Sequence, residues 1–150
     1  MIGLEALRRG EIFEGLSDDE LAAIARIARE ETYGAGALIF AENDPATHLY
    51  IVREGRVAIL IDIGRDKQTV VDTVTAGGSF GWSALVPPYL LTGTATAMDK
   101  TRVIAIPGNE LRALCQQNCR TCYTIMERLA TIISSRLRDT RMQLISLMYA

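Results

Sequence analysis

The chain has 150 residues, 49% of them apolar and 23% charged, with a formal net charge of −2. That apolar share supports one packed domain rather than a disordered chain, and a charge so near zero argues against a general nucleic-acid binder, which needs a basic face. No apolar run reaches the ~18 residues of a membrane span. The acids early in MIGLEALRRGEIFEGLSDDE leave no room for a secretory signal, and one His with three Cys suits a reduced, cytoplasmic protein better than a disulfide framework or a His-based metal centre.

Residues 4–8 read as a short helical turn. Ser17, followed by Asp18, Asp19 and Glu20, has the pattern of a capping box with acids in the first turn. Leu21, Ile24, Ala25, Ile27 and Ala28 then recur at helical spacing, predicting a helix that runs to about Glu30. From Tyr33 to Pro107 the period changes to short β-rich runs separated by turn formers: Asn43-Asp44-Pro45, Glu54-Gly55 and Gly64-Arg65-Asp66. LYIV (49–52) and VAILI (57–61) flank Glu54-Gly55 like a hairpin. QTVVDTV (68–74), TGTATA (92–97) and TRVIAI (101–106) are further strands, with a Gly-rich break at TAGGSFG (75–81). Helical spacing returns over 109–117 and then over 121–148, a stretch without Gly or Pro and roughly 40 Å long at 1.5 Å per residue. Met126, Ala130, Ile133, Leu137, Thr140, Leu144 and Leu147 follow one another at alternating steps of four and three, a heptad seam for a second helix. Ile125, Leu129 and Ile132 form a second stripe, confined to the first half, that suits packing on the chain's own strands.

The order of these elements, with Gly36, Asp44-Pro45, LYIV, Gly55 and Val57 in YGAGALIFAENDPATHLYIVREGRVAIL, resembles the cyclic nucleotide-binding domain family, the sensory module of the catabolite activator protein. Gly77, Phe80 and Gly81 stand where that family has its phosphate-binding cassette, and AMDKTRVIAI (97–106) looks like the strand pair that follows it. The resemblance covers nearly the whole chain. It implies a mainly β fold, a double-stranded β-helix or jelly-roll-like barrel flanked by N-terminal helices and a long C-terminal helix. Residues 1–120 would form the β-roll with its N-terminal helices, and 121–150 the dimerisation helix of the same domain.

In the family, a Glu directly after the cassette Gly accepts the ribose hydroxyl, and an Arg later in the cassette pairs with the cyclic phosphate, followed by Ser or Thr. Here the Glu position is Trp82, the Arg position falls on Leu91 (or on Leu90 or Thr92 if the loop shifts by one), and Thr92 takes the hydroxyl place. No Arg or Lys occurs between Lys67 and Lys100. A charge-assisted contact to phosphate contributes about 1.5–3 kcal/mol, so losing both ligands is expected to weaken a cyclic nucleotide by about 3–5 kcal/mol. The candidate ligand positions are Gly81, Trp82, Ser83, Ala84, Leu91, Thr92 and Thr94, with Thr140 where the family's long helix presents hydroxyls to the bound base.

Each remaining feature has a structural reading beside a functional one. Trp82, the only Trp, is expected to fill the space that the missing ligand pair vacates, with a stacking wall for a ligand as the alternative. Cys115, Cys119 and Cys122 recur at i, i+4 and i+7 like a buried face; without a fourth ligand, no metal is expected there. His48 reads as a turn or surface residue, and Pro87-Pro88-Tyr89 as a stiff loop that braces the cassette or meets a partner. Arg136, Arg138 and Arg141, with Asp139, read as a solvated helix face. No nucleophile–base pair, paired carboxylates or phosphate loop is present, so neither an enzyme nor a cofactor is expected.

The expectation is therefore a regulatory or sensory module that binds cyclic nucleotides weakly, forms a homodimer and acts through a separate output protein, since no DNA-reading helix pair follows in these 150 residues. A small-molecule ligand remains open. The rival readings are a true cyclic nucleotide binder that uses cassette backbone and threonines, an interaction module without a ligand, and a Cys-based redox or metal sensor.

Overall fold

The computed structural model describes residues 2–149. Helix α1 (Leu4–Arg8), a 3₁₀ turn at Glu11–Phe13 and α2 (Asp18–Ala25) precede eight strands. These are β1 (Arg29–Tyr33), β2 (Leu38–Phe40), β3 (His48–Glu54), β4 (Val57–Gly64), β5 (Lys67–Val74), β6 (Ser79–Phe80), β7 (Thr94–Ala97) and β8 (Thr101–Pro107). A second 3₁₀ turn, Trp82–Leu85, lies between β6 and β7, and α3 (Gly108–Gln117) and α4 (Cys119–Met148) follow β8. The strands form two four-stranded antiparallel sheets, ordered β1-β8-β3-β6 and β2-β7-β4-β5. The jelly-roll-like architecture is present, but the two sheets do not close into a barrel. No helix among the described residues is long and apolar enough to cross a membrane.

The central strands show why LYIV and VIAI are continuous apolar runs rather than alternating ones. On β3, Leu49 and Ile51 point into a core shared with Leu7, Ile12, Leu21, Ile24 and Ile125 of the helices, while Tyr50 and Val52 point into a second core with Val57, Val74 and Phe80. On β8, Ile104 and Ile106 face the helices, and Val103 and Ala105 face the other sheet. Both faces of these strands are covered, so each pleat position is apolar. Gly55 turns the β3–β4 hairpin at φ +95°, where a Cβ would lie 2.5 Å from the Thr101 hydroxyl oxygen and 2.7 Å from the Lys100 carbonyl oxygen.

The N-terminal helix is shorter than the spacing suggests. Its capping box forms, with the Ser17 hydroxyl accepting from the Glu20 N–H and the Glu20 carboxylate accepting from the Ser17 N–H. It ends at Ala25, however, and Arg29–Tyr33 pairs with β8 instead, from Arg29 opposite Ala105 to Tyr33 opposite Thr101. There the Glu30 carboxylate binds both Arg53 and Arg102, tying β1 to the two strands beyond it. The long helix begins at Cys119, capped by the Asn118 side chain, which accepts from the Arg120 and Thr121 N–H groups. Asn118, at φ −141° and ψ 99°, breaks the run, so Cys115 lies on α3 and Cys119 and Cys122 on α4.

Candidate functional site

Gly81 starts the site. Its φ of +74° suits Gly, and a Cβ there would come within 2.9 Å of the His48 carbonyl oxygen and 3.1 Å of the Tyr50 ring. The chain thus turns tightly off β6 and launches Trp82 and Ser83 along one edge of a cavity of about 430 Å³. The cavity lies between the second sheet, this turn and the middle of α4. Phe40, Ile59, Ile61, Val71, Phe80 and Leu91 make its apolar wall, and Phe40 and Phe80 meet with ring centroids 5.9 Å apart. Ser83, Thr92, Thr140 and Gln143 are its neutral polar groups, and Asp72, Arg136 and Asp139 its charged ones.

Six of the sequence-derived candidates, Gly81, Trp82, Ser83, Leu91, Thr92 and Thr140, therefore come together around one space, and two do not. Ala84 is fully buried against Gly108, and its carbonyl accepts from the Arg112 guanidinium. Thr94 is buried too, with its hydroxyl accepting from the Glu42 N–H at 2.9 Å. The Thr140 hydroxyl donates to the Arg136 carbonyl at 2.9 Å, which leaves its oxygen lone pairs for an incoming donor.

Two expectations are corrected here. The Trp82 indole does not fill the cavity: half-buried, it packs against the helical core and forms one wall, with open space beside it. Nor does Arg136 lie on a solvated face. Its guanidinium stands 4.6 Å above the Trp82 ring, donates to the Ser79 carbonyl at 2.9 Å, and pairs with Asp72 at 3.2 Å and Glu11 at 3.4 Å. The signal was in the helix spacing. Ile125, Leu129 and Ile132, all buried, lead at the same step to Arg136, so the inner stripe continues into the cavity wall with a charged member. Arg138 and Arg141 are exposed.

The other singled-out residues lie elsewhere. Cys115 is buried, Cys122 half-buried and Cys119 exposed, so the three thiols do not share one buried face. Burial, and then the neighbouring Cys122, push the Cys115 thiol up to about 12. Among the described residues, no three His, Cys, Asp or Glu side chains converge on a metal position. His48 is half-buried, its Nδ1 2.8 Å from the Thr47 hydroxyl, and burial followed by the charge of Arg29 holds its pKa below the usual imidazole value. Tyr89 is tied back by its carbonyl, which accepts from the Ala46 N–H at 2.8 Å, and by the Arg112 guanidinium 4.2 Å over its ring, so the Pro87-Pro88-Tyr89 loop braces the cassette. Of the expected seam, Met126 is half-buried and Ala130, Ile133, Leu137, Thr140, Leu144 and Leu147 are exposed in the single chain.

The chain is similar to known proteins along almost its full length. The family model for the cyclic nucleotide-binding domain matches residues 30–118. A protein of Geobacter metallireducens described as cyclic nucleotide-binding superposes with a TM-score of 0.82 at 34% identity, covering 91% of this chain and 99% of that one. Among curated proteins, Glutaminase 1 of Bradyrhizobium diazoefficiens is 33% identical over 84% of this chain, which spans 20% of that protein. A CRP-like cAMP-activated global transcriptional regulator of Mycobacterium tuberculosis is 26% identical over 97% of this chain, which spans 63% of the regulator. With the two-sheet fold, the cassette turn at Gly81 and the family match over most of the sheets, the chain belongs to the cyclic nucleotide-binding domain family.

Proposed function

We propose that the chain is a regulatory ligand-binding module that holds cyclic nucleotides weakly, dimerises through α4 and passes its signal to a separate protein, with no chemistry of its own. Residues 1–120 serve as the β-roll with its N-terminal helices and 121–150 as the dimerisation helix of one domain, a helix that also lines the cavity through Arg136, Asp139, Thr140 and Gln143. The observation that carries the reading is the chemistry facing the cavity at the two cassette positions, an indole at Trp82 and an isobutyl group at Leu91. A cyclic phosphate placed there meets no free cation from the cassette, and the nearest guanidinium, Arg136, already pairs with Asp72 and Glu11. Calorimetry with cyclic AMP and cyclic GMP is expected to give dissociation constants weaker than about 10 µM, some −7 kcal/mol. A tighter value overturns the reading. Trp82→Glu combined with Leu91→Arg is expected to raise affinity more than either change alone, because the two restored groups hold one ligand at two points.

A second reading, a genuine cyclic nucleotide binder, is favoured by one observation: Arg136 lies on the cavity wall, one helical turn before Thr140. Releasing it from Asp72 would give a phosphate one partner. The same calorimetry decides between the two.

A further inference from the structure

The charges around the cavity say more about its ligand than the missing cassette groups do. It is bordered by one guanidinium, Arg136, and two carboxylates, Asp72 and Asp139. Arg136 is satisfied from several sides: Asp72 at 3.2 Å, Glu11 at 3.4 Å, the Ser79 carbonyl at 2.9 Å and the Trp82 ring beneath it. An anion that takes Arg136 must displace a carboxylate and leave it beside the ligand. Asp139, at the exposed rim, has no ion-pair or hydrogen-bonding partner among the described residues. One residue further along α4, the Thr140 hydroxyl has spent its proton on the Arg136 carbonyl and offers only lone pairs.

Beside the occupied Arg136 and the Gln143 amide, the helix side of the cavity presents acceptors at Asp139 and Thr140, and the sheet side presents the half-buried apolar side chains of Phe40, Ile59 and Ile61. A field of that sign disfavours anions and favours ligands that bring N–H donors or a positive charge. The apolar wall suits a flat, weakly polar body. We infer that this cavity takes a planar heterocyclic or aromatic ligand without negative charge, which docks its body against Phe40, Ile59 and Ile61 and donates N–H groups to Asp139 and Thr140. The inference rests on the proposed ligand-binding function and names the ligand class of that same cavity. The donor has two chemical sources, a neutral amine-bearing heterocycle or a cationic amidinium, and a probe exists for each.

The test titrates the full chain with adenosine (neutral), benzamidine (cationic) and cyclic AMP (anionic), by calorimetry and by the emission of Trp82, the sole Trp. Saturable binding of adenosine or benzamidine, at least about tenfold tighter than cyclic AMP, is the expected result, and whichever binds identifies the donor source. Asp139→Asn, a change at an exposed side chain, is expected to weaken that probe about fivefold or more without weakening cyclic AMP. An unchanged melting temperature confirms that the variant is folded. Cyclic AMP binding as tightly as both probes, neither probe binding at millimolar concentration, or an unaltered probe affinity in Asp139→Asn each overturns the inference. The wider reading stands or falls separately: it survives if no probe binds, and fails if cyclic AMP binds below about 10 µM.

Discussion

Arg136 is the residue on which the site turns. It contacts the first 3₁₀ turn through Glu11, the sheet through Asp72 and the Ser79 carbonyl, and the cassette through Trp82. A guanidinium offers several planar donors and a face for stacking, so one side chain can serve all four partners. Its charge is thus largely compensated before any ligand arrives. Asp72→Asn removes one competing carboxylate and leaves the cavity border with one cation and one acid. Calorimetry of that variant is expected to show cyclic AMP bound about threefold to tenfold more tightly than by the unaltered chain, on the ~1 kcal/mol scale of a partly exposed ion pair. An unchanged or weaker affinity means that Arg136 does not reach the phosphate.

At the scale of elements, α4 has two faces with different fates. Thr121, Ile125, Leu129 and Ile132 are buried against the chain's own helices and sheet. The other face, with Leu137 48% and Leu144 58% exposed, has no covering within the chain. The helix has 30 residues, about 45 Å at 1.5 Å per residue, and past Arg136 it carries Leu137, Met142, Leu144, Ile145 and Leu147 in the open. The four-three spacing of the outer stripe supports a second copy as its cover. The double change Leu137→Asp with Leu144→Asp is expected to convert a dimer into a monomer by light scattering. The β-sheet fold should persist by circular dichroism, since both side chains are exposed in the single chain, while the melting temperature loses only the dimer's contribution. A dimer that survives both changes places the seam elsewhere.

For the whole molecule, the titratable groups set how stability varies with pH. The Glu20 carboxyl lies below the usual range because the Thr121 hydroxyl and the Ser17 N–H donate to it, which links α2 to α4. The Glu30 carboxyl is lowered by Arg102 and then Arg53, and His48 is lowered by burial. Each of these groups binds a proton less readily folded than unfolded, so each costs stability as the pH falls. The loss through His48 begins below about 6.5, the ordinary imidazole value. The loss through Glu20 and Glu30 begins below about 4.5. Thermal melts are expected to show a plateau between about pH 7 and 9, a loss above it as the buried Cys115 thiol resists ionisation, and a two-stage decline in acid, with His48→Gln abolishing the first acid stage. A first stage that persists in His48→Gln assigns it to another group.

Much of this protein is legible along the chain because the information is local. The Ser17–Glu20 capping box, the turns at Gly55 and Gly81 and the period of α4 are each written within a few residues, and the structure contains all of them. The doubly buried strands also follow from their composition, once both faces are known to be covered. The tertiary structure alone decided three things. Arg29–Tyr33 leaves the helical period because its partner, β8, lies some seventy residues further on and satisfies its backbone. Arg136 turns inward because Glu11, Asp72, Ser79 and Trp82, remote in sequence, converge where its side chain ends. The space beside Trp82 stays open because that indole finds its apolar contacts in the helical core rather than in the cavity. Spacing along a chain reports which face of an element is apolar; what stands opposite that face is set by strand pairings and helix contacts that close only in three dimensions.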